Sequence, residues 1–398
     1  MNKKVLMVMP VLKGGGAERV ASILTNEFYK NGYDCEFLLT SCNRDEVISR
    51  DLDEKIPVII LREFFEKSFK DVFYKFLQIC TSVICKLFEK MGKAVPVPYS
   101  YLSFVANYHK ELKALKKVLK ARGDATVVAF LQPTIPMVLL AGRKTKNKII
   151  ISERCDSKRL MKHRYGYNFV KKYYERAEVA VFQTEDAKNA YPKNIASKGV
   201  VIYNPIKENL PERFEGERNK NITTFCRISY QKNLPVLVKA FEDVYKDFPD
   251  YRLRIIGNTQ NQDDEKALKE TKALINELNL EDYIDFEPFS LDVHSEIIED
   301  AVYVNSSDYE GMSNAMLEAM AIGMPVVCTD CPIGGASAVI KNGENGLLVP
   351  VGDADSLAEA IKKIISDKNL STKLSENAVK IKEDLSLSNI ARKWMELI

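Results

Sequence analysis

The sequence predicts an α/β protein built from two Rossmann-like domains, and three observations support this prediction. The chain has 398 residues, which is too long for one ordinary hydrophobic core and suits two domains of roughly 150–200 residues each. Short apolar runs alternate with helical patterns, as in a parallel sheet covered by helices on both faces. The same alternation starts again after Pro205, so the two halves are expected to have the same element order.

The first half opens with a predicted strand at residues 5–9, a glycine-rich loop and a helix at residues 17–30, the typical start of a Rossmann-type unit. Further apolar runs are short enough to be strands, and they lie at residues 35–39, 126–131, 148–152, 179–182 and 200–203. These elements predict an N-terminal domain at residues 1–205. No signal peptide is expected, because the apolar start contains Pro10 and has no small-residue cleavage site. No apolar run reaches the length of about 18 residues that a transmembrane helix needs.

The second half begins after a polar segment, residues 207–220, which contains Pro211 and is predicted to be a linker. A helix is predicted at residues 234–247, and strands are predicted at residues 222–226, 252–256, 284–286, 301–305 and 325–329. These elements predict a C-terminal domain at residues 206–385. The remaining residues, 386–398, are expected to form a last helix that includes Trp394.

Charge is distributed unevenly along a chain whose net charge is only +3. Residues 1–205 contain 36 Lys and Arg against 21 Asp and Glu, a net charge of +15, whereas residues 206–398 contain 22 against 34, a net charge of −12. A basic half is suited to a membrane surface, a diphosphate or a nucleic acid. Two surfaces of opposite sign that suit each other across a cleft would explain the same split. Basic stretches with interleaved aromatic residues are not evident, so no nucleic acid partner is predicted.

Residues 65–91 do not fit the alternation, because their apolar positions have helical spacing over about 27 residues, a length of about 40 Å. Pro96 and Pro98 are expected to end this helix. A second basic stretch, residues 110–122, follows, so the domain is predicted to carry an amphipathic insertion near residues 62–122. Two interpretations remain open: the phenylalanine-rich face lies on an anionic membrane surface, or it packs on the domain core. Cations lie largely on the other faces, namely Lys67, Lys70, Lys75, Lys86 and Lys90.

The strongest local feature is a pair of glutamates, Glu310 and Glu318, placed where a strand-end loop meets a predicted helix. Gly311 permits close approach of the backbone, and the start of the helix offers free N–H groups to an anion such as a diphosphate. Carboxylates accept strong hydrogen bonds from hydroxyl groups. This arrangement suits a ligand with sugar hydroxyls on both sides of a diphosphate. A helix-capping acid and a solvated glutamate would be the structural alternative.

Two further loops also lie between a predicted strand and a predicted helix. Arg227 and Lys232 could converge on a diphosphate, the arginine as a planar fork and the lysine as a point charge. The loop at residues 13–19 includes Gly15 and Gly16, whose backbone amides can approach an anion at the start of the first helix. Its glycine order matches neither the dinucleotide-binding fingerprint nor a P-loop.

Together these loops resemble those of glycosyltransferase family 4, whose members have the two-Rossmann-domain GT-B fold. Glu310 and Glu318 match that family's paired-glutamate motif, and Arg227 and Lys232 match its Arg/Lys pair. Residues 14–19, GGGAER, match the GGAER opening of its bacterial polysaccharide branch. The resemblance covers residues 3–365 and is specific for the family rather than for the sugar. Further matches lie at residues 151–154, 201–205 and 345–350.

The resemblance implies retaining, metal-independent transfer of a sugar from a nucleotide diphosphate sugar, usually a UDP-sugar, to a glycan acceptor. No cofactor is expected, and a polyprenyl-diphosphate-linked acceptor in surface polysaccharide synthesis is one candidate. By resemblance, Glu310 binds hydroxyls of the donor sugar and Glu318 binds the ribose, while Arg227 and Lys232 stabilise the leaving diphosphate. The other residues implied in donor binding are Gly15, Gly16, Gly311, Met312, Ser313, Asn314 and Ala315.

The resemblance also implies that the two domains face each other across a cleft that contains the active site, and that the last helix crosses back to the N-terminal domain. Many family members have a histidine in the first domain near the reacting carbon, whereas residues 129–134 contain none. Glu153 and Arg154, at a strand end, and His163, in a basic loop, are the acceptor-side residues predicted instead. The predicted location is cytoplasmic, with a peripheral position on the inner face of the cell membrane as a further interpretation.

Two other functions remain open, a nucleotide-sugar 2-epimerase of the same architecture and a non-catalytic nucleotide-sugar-binding subunit. The paired glutamates with Arg227 and Lys232 favour transfer over both. A metal site is not predicted, because Cys328 and Cys331 form one C-x-x-C pair without a second half. The eight cysteines are scattered, so reduced thiols are expected rather than a disulfide framework.

Overall fold

The computed structural model describes residues 3–154 and 172–398 and divides into two compact units. The first unit contains the chain up to Tyr203 together with Ile390–Ile398, and the second contains Asn204–Asn389. Each unit is built on one parallel sheet whose strands are connected largely by helices. The predicted fold, two Rossmann-like domains, is confirmed.

The first sheet is almost continuously apolar at its centre, where β1 pairs with β2 on one side and with β4 on the other. Its parallel strands are β1 Lys4–Met9, β2 Asp34–Leu39, β3 Val58–Ile60, β4 Thr126–Phe130, β5 Lys148–Ser152, β6 Val179–Phe182 and β7 Gly199–Val201. They lie in the order β3-β2-β1-β4-β5-β6-β7. The sequence predicted six of them to within two residues at each end, and it missed β3, because three residues carry too short a pattern to be recognised.

Helices of the first unit follow the strands or lie in the insertion between β3 and β4. In the described ranges of this unit they are α1 Gly16–Lys30, α2 Lys70–Lys90, α3 Val97–Asn107, α4 His109–Ala121, α5 Thr134–Ala141, α6 Glu185–Asn189 and α7 Lys193–Ala196. α1 buries Val20, Leu24 and Phe28, which recur at helical spacing on one face. No helix within residues 3–154 and 172–398 is both long and apolar enough to cross a membrane.

The insertion differs from its prediction. The single helix predicted at residues 65–91 begins only at Lys70 and ends at Lys90, because Gly92 adopts a φ of 66°, the left-handed conformation that often terminates helices. Pro96 and Pro98 do not end this helix; they begin α3, where a proline needs no N–H partner. Of the residues in α2, only Thr81 and Cys85 are buried.

The second sheet has the strand order typical of a Rossmann fold. Its parallel strands are β8 Asn221–Phe225, β9 Arg252–Ile256, β10 Ile284–Glu287, β11 Val302–Asn305, β12 Val326–Thr329 and β13 Leu347–Val349. The order is β10-β9-β8-β11-β12-β13, so the direction of strand addition reverses between β8 and β11. At such a reversal the loops after the two central strands lie side by side and leave room for a ligand. Five strands agree with the prediction to within two residues, and β13 was missed for the same reason as β3.

The helices of the second unit are α8 Leu234–Asp247, α9 Gln262–Glu277, α10 Val293–Ile297, α11 Asn314–Ala321, α12 Ala354–Ser366, α13 Lys368–Ala378 and α14 Ile381–Asp384. Its core is formed largely by the sheet, α8 and α12. The last helix, α15 Leu387–Met395, spans the point where the chain returns to the first unit. There Trp394 stacks on Phe130 at the end of β4, with ring centroids 5.7 Å apart.

The segment predicted as a linker contains no helix or strand, but it is anchored to the second unit. Arg218 donates hydrogen bonds to the backbone carbonyls of Ile298 at 2.9 Å, Asp300 at 3.0 Å and Gly323 at 2.7 Å. A largely buried guanidinium needs such acceptors for its N–H groups. The segment is therefore part of the packed unit and not a free tether.

Candidate active site

An ion pair between Lys232 and Glu310 forms the centre of the candidate site. Lys232 follows β8 and Glu310 follows β11, so the pairing of these two strands brings the side chains together. The side chains are only 16% and 15% exposed, and Lys232 Nζ donates a hydrogen bond to Glu310 Oε1. Burial lowers the pKa of Lys232, but electrostatic interactions with Glu310 and Cys226 and the hydrogen bond to Glu310 together raise it, so the pKa lies above its ordinary value. Lys232 is therefore a mostly buried cation at neutral pH.

The Glu310 carboxylate is oriented by the loop that carries it. Ser307 Oγ lies 3.1 Å from Glu310 Oε1 and 2.6 Å from Asn305 Oδ1 at the end of β11. The carbonyl of Ser307 in turn accepts a hydrogen bond from Thr329 Oγ1 at 2.6 Å. Glu310 Oε2 has no hydrogen-bond partner among residues 3–154 and 172–398. One oxygen is thus held in place while the other is available to a ligand.

Backbone and amide hydrogen bonds join the two loops on either side of this ion pair. The backbone N–H of Asp308 donates to the carbonyl of Gln231 at 2.9 Å, and Gln231 Nε2 donates to the carbonyl of Tyr309 at 2.9 Å. Asn233, with a left-handed φ of 44°, donates from Nδ2 to Asp308 Oδ1 at 2.6 Å. These bonds fix the loop after β8 to the loop after β11, so the positions of Lys232 and Glu310 are set by the same contacts.

Glu318, the second glutamate of the pair, lies in α11 and is 3% exposed. Its Oε2 accepts a hydrogen bond from Nε2 of His294 in α10 at 2.8 Å. The sequence offered no reason to connect these residues, because a single histidine in a short helix carries no recognisable pattern. The two glutamates of the motif therefore have different partners, a lysine for Glu310 and a histidine for Glu318.

The loop between the two glutamates is shaped by close backbone contacts. Gly335 approaches it so closely that a Cβ atom there would lie 1.6 Å from the carbonyl oxygen of Gly311. Asn204 Nδ2 donates to the carbonyl of Met312 at 3.1 Å and to Asn314 Oδ1 at 2.7 Å. Asn204 lies in residues 201–205, which resemble the family but to which the sequence assigns no role. In the structure its hydrogen bonds support this loop.

The helix that follows this loop begins with a capped N-terminus. Ser313 is the N-cap residue of α11, and its Oγ accepts the backbone N–H of Met316 at 3.4 Å. Asn314 and Ala315 are the first two residues of the helix, where the positive end of the helix dipole lies. The structure therefore places the predicted donor-binding residues 311–315 on one continuous loop and helix start.

The side chain of Arg227 points to partners other than Lys232 and Glu310. Its side chain is 44% exposed, with Nη1 at 3.5 Å from Gln260 Oε1 and Nε at 3.8 Å from Asp264 Oδ2. Both predicted cations follow β8, but in this structure only Lys232 contacts Glu310. An approach of Arg227 to a diphosphate remains a prediction that would use its exposed guanidinium.

The glycine loop of the first unit already binds a carboxylate. Gly15 is the N-cap residue of α1 and Gly16 is its first residue. Glu18 Oε2 accepts the backbone N–H of Gly15 at 3.1 Å and also that of Lys13. The binding of a diphosphate by this loop stays a prediction, and a diphosphate would have to displace Glu18 from the amides of Lys13 and Gly15.

Two of the three predicted acceptor-side residues, Glu153 and Arg154, lie within the described part of the chain. Glu153 is 3% exposed, its Oε1 accepts hydrogen bonds from Tyr174 and from Gln132 Nε2 at 3.0 Å, and burial raises the pKa of its carboxyl group. Arg154 stacks on Phe130, with the guanidinium carbon 4.7 Å from the ring centroid. The contacts of these two residues are thus with the interior of the first unit, and their acceptor role stays a prediction. His163 lies outside the described residues.

The chain is similar to one protein family over part of its length and to individual proteins over nearly all of it. Residues 206–381 match the family model of the glycosyl transferases group 1. An uncharacterized glycosyltransferase of Haemophilus influenzae is 21% identical over 100% of both chains. The Campylobacter jejuni enzyme named GalNAc-alpha-(1->4)-GalNAc-alpha-(1->3)-diNAcBac-PP-undecaprenol alpha-1,4-N-acetyl-D-galactosaminyltransferase is 22% identical over 99% of this chain and 98% of its own.

Solved structures show the same fold over the whole chain. HepE of Anabaena, solved in complex with UDP and glucose, superposes with a TM-score of 0.75 at 18% identity and covers 99% of each chain. At this identity the similarity establishes the GT-B fold, in agreement with the strand orders of the two sheets. The chain therefore has the GT-B fold, and its residues 206–381 are similar to the glycosyl transferases group 1.

Proposed function

We propose that this protein is a retaining, metal-independent glycosyltransferase of family 4 that transfers a sugar from a UDP-sugar to a polyprenyl-diphosphate-linked glycan. The observation that carries the proposal is the buried Lys232–Glu310 pair at the reversal of strand order, next to the start of α11. Ligands of Rossmann-type sheets bind at this edge. The site offers a cation, an oriented carboxylate and helix-start amides, which are the groups that a sugar diphosphate needs.

Each group has a defined task in this proposal. Glu310 Oε2 accepts a hydrogen bond from a hydroxyl of the donor sugar, since Oε1 is already held by Lys232 and Ser307. Lys232 Nζ retains N–H donors for the diphosphate, where negative charge grows as its bond to the sugar breaks. The amides of Asn314 and Ala315 and the exposed guanidinium of Arg227 add positive potential for the same group. Glu318 accepts hydrogen bonds from the ribose hydroxyls of the donor, the role that the resemblance implies for it.

The acceptor class is inferred from relatives and from charge. The Campylobacter jejuni relative acts on a glycan linked to PP-undecaprenol, as its name states, and it matches nearly the whole chain. Residues 1–205 carry a net charge of +15, which suits an acceptor that bears a diphosphate and lies in an anionic membrane. We therefore propose that the protein is cytoplasmic and binds peripherally to the inner face of the cell membrane.

A donor screen tests the proposed reaction. Purified protein is incubated with UDP- and GDP-sugars, with and without a polyprenyl-diphosphate-linked acceptor, and release of the nucleoside diphosphate is measured. We expect release of UDP that requires the acceptor and is unchanged by EDTA. Conversion of the donor to its 2-epimer in the absence of acceptor would instead indicate an epimerase, and binding of UDP without any turnover would indicate a non-catalytic subunit.

The structure also bears on the two interpretations of the insertion. The apolar stripe of α2 does not pack on the core: Phe69, Val72, Phe73, Phe76 and Val83 are all more than half exposed, so the core interpretation is wrong for this face. The stripe continues through Leu87 and Met91, while Lys70, Lys75, Lys86 and Lys90 are exposed beside it. An exposed phenylalanine-rich face with flanking lysines is suited to the interface of an anionic bilayer. We therefore propose that α2 holds the protein on the membrane that contains its acceptor.

Removal of this face should release the protein from lipid. In the triple variant Phe69→Ser, Phe73→Ser, Phe76→Ser we expect the binding constant for phosphatidylglycerol-containing liposomes to fall at least about tenfold, because each inserted phenylalanine contributes on the order of 1.5–3 kcal/mol. Liposome flotation measures the effect. The matched control is the double variant Phe289→Ser, Leu291→Ser, which replaces two exposed apolar residues of the second unit. It should bind the liposomes as strongly as the parent protein does. Failure of the parent protein to float would contradict the membrane proposal.

A further inference from the structure

We infer that His294 is a positioning residue for nucleotide recognition: it holds Glu318 in the orientation that receives the ribose hydroxyls of the donor. This inference rests on the proposed function, which assigns the ribose to Glu318, and it adds a residue that the paired-glutamate motif does not contain. His294 would not touch the nucleotide itself. It would act through the carboxylate, and its effect should therefore depend on the presence of the ribose hydroxyls.

The geometry of the pair supports a positioning role. His294 is 5% exposed and Glu318 is 3% exposed, and His294 Nε2 lies 2.8 Å from Glu318 Oε2. An ionised carboxylate can only accept, so the imidazole nitrogen is the donor of this hydrogen bond. Hydrogen bonds to a charged group are among the stronger ones in proteins, and burial makes their loss more costly. The contact therefore fixes one oxygen of Glu318 and, with it, the plane of the carboxylate.

The imidazole is itself held in place by the sheet that carries the site. The ring of Phe225, at the end of β8, meets the His294 ring edge-on at a centroid distance of 5.6 Å and an interplanar angle of 82°. Phe225 in turn contacts Tyr303 of β11 at 5.1 Å. Side chains of the two central strands thus support the histidine through these ring contacts. A histidine that served only to fill space would not need its Nε2 directed at the carboxylate.

Without the histidine, Glu318 would lose one of the contacts that set its orientation. A buried carboxylate that loses a hydrogen-bond donor turns toward another polar group or binds a proton, because a buried charge with fewer donors is less stable. In either case it would accept a hydrogen bond from a ribose hydroxyl less well. The ribose is remote from the bond that breaks, so the loss should affect donor binding in the ground state and in the transition state to a similar extent.

Nucleotide analogues separate this role from a purely structural one. Binding of UDP and of 2′,3′-dideoxy-UDP is measured by isothermal titration calorimetry on the same preparation of each protein. We expect the parent protein to prefer UDP by about tenfold or more, the value of a hydrogen bond to a charged group. His294→Leu, which removes the donor at similar volume, should bind both nucleotides equally, and His294→Gln, which retains an N–H donor, should keep most of the preference.

The ratio of the two affinities does not depend on the fraction of folded protein, so partial unfolding of a variant does not obscure the result. His109→Leu is the matched control. His109 also contacts a carboxylate, that of Asp71 at 3.2 Å, but it lies in the first unit, so the variant should have the nucleotide preference of the parent.

In the transfer assay, His294→Leu should raise KM for the donor about tenfold or more with little change in kcat. A parent protein that does not discriminate the nucleotides would overturn the ribose assignment of Glu318, a part of the proposed function. A parent that discriminates and a His294→Leu variant that discriminates equally well would overturn the positioning role alone.

Discussion

Sugar transfer by a Lys232→Ala variant is expected to fall about 10²–10³-fold in kcat, the loss that follows removal of one group that stabilises developing charge in a transition state. Lys232 is the only lysine or arginine within the described residues that forms an ion pair with Glu310. Its pKa is raised by that carboxylate against the opposing effect of burial, so it is charged at neutral pH and retains N–H groups for the diphosphate. Release of UDP under saturating donor and acceptor measures the effect.

The Lys232–Glu310 pair should behave as one unit. Glu310→Gln is expected to lower kcat by a similar factor, and the double variant should be little worse than either single variant, because groups that act together show non-additive losses. Lys220→Ala is the matched control: Lys220 forms an exposed ion pair with Asp250 at 2.8 Å in the same unit and should leave transfer unchanged. Losses that multiply in the double variant would contradict a shared role of the two residues.

Replacement of Trp394 by alanine is expected to lower the free energy of unfolding of the first unit by about 3–5 kcal/mol, the usual cost of truncating a large buried aromatic residue. Trp394 is fully buried and stacks on Phe130 of β4. Arg154 lies against both rings, with its guanidinium carbon 4.7 Å from the Phe130 centroid and 5.9 Å from that of Trp394. The change would therefore remove the contacts that attach the C-terminal end of the chain to the first sheet.

Arg154 should contribute to this attachment through its charge as well as its packing. Burial lowers the pKa of its guanidinium to about 9, which still leaves it a cation at neutral pH, and a partly desolvated cation over aromatic faces contributes about 0.5–2 kcal/mol. Unfolding in urea, followed by circular dichroism because Trp394 is the only tryptophan, measures the loss. Phe289→Ala, at a 56% exposed aromatic residue of the second unit, is the control and should change stability little. An unchanged transition in Trp394→Ala would contradict the role of the C-terminal segment.

The residues of the candidate site illustrate how far sequence reasoning reaches. The sequence identifies Lys232 and Glu310 as candidate site residues, because each lies in a loop between a strand and a helix. Their contact depends on β8 and β11 being neighbours in the sheet, with β9 on the other side of β8, and local patterns do not determine this order. His294 carries no pattern of its own, and Asn204 lies in a matched stretch without an assigned role. Only the packing of α10 and of the segment after β7 brings them to Glu318 and to the loop at Met312.

The sequence by itself determined that this chain is an α/β protein with two Rossmann-like halves, and it located the paired glutamates at a loop between a strand and a helix. Strand and helix periods, turn residues and motif spacing are local properties, so they can be read along the chain. The tertiary structure alone decided which partner each glutamate has, that Glu18 occupies the amides of Gly15, and that the apolar stripe of α2 is exposed. The physical reason is that an amphipathic period shows that a helix has an apolar face, while what covers that face depends on residues distant in sequence.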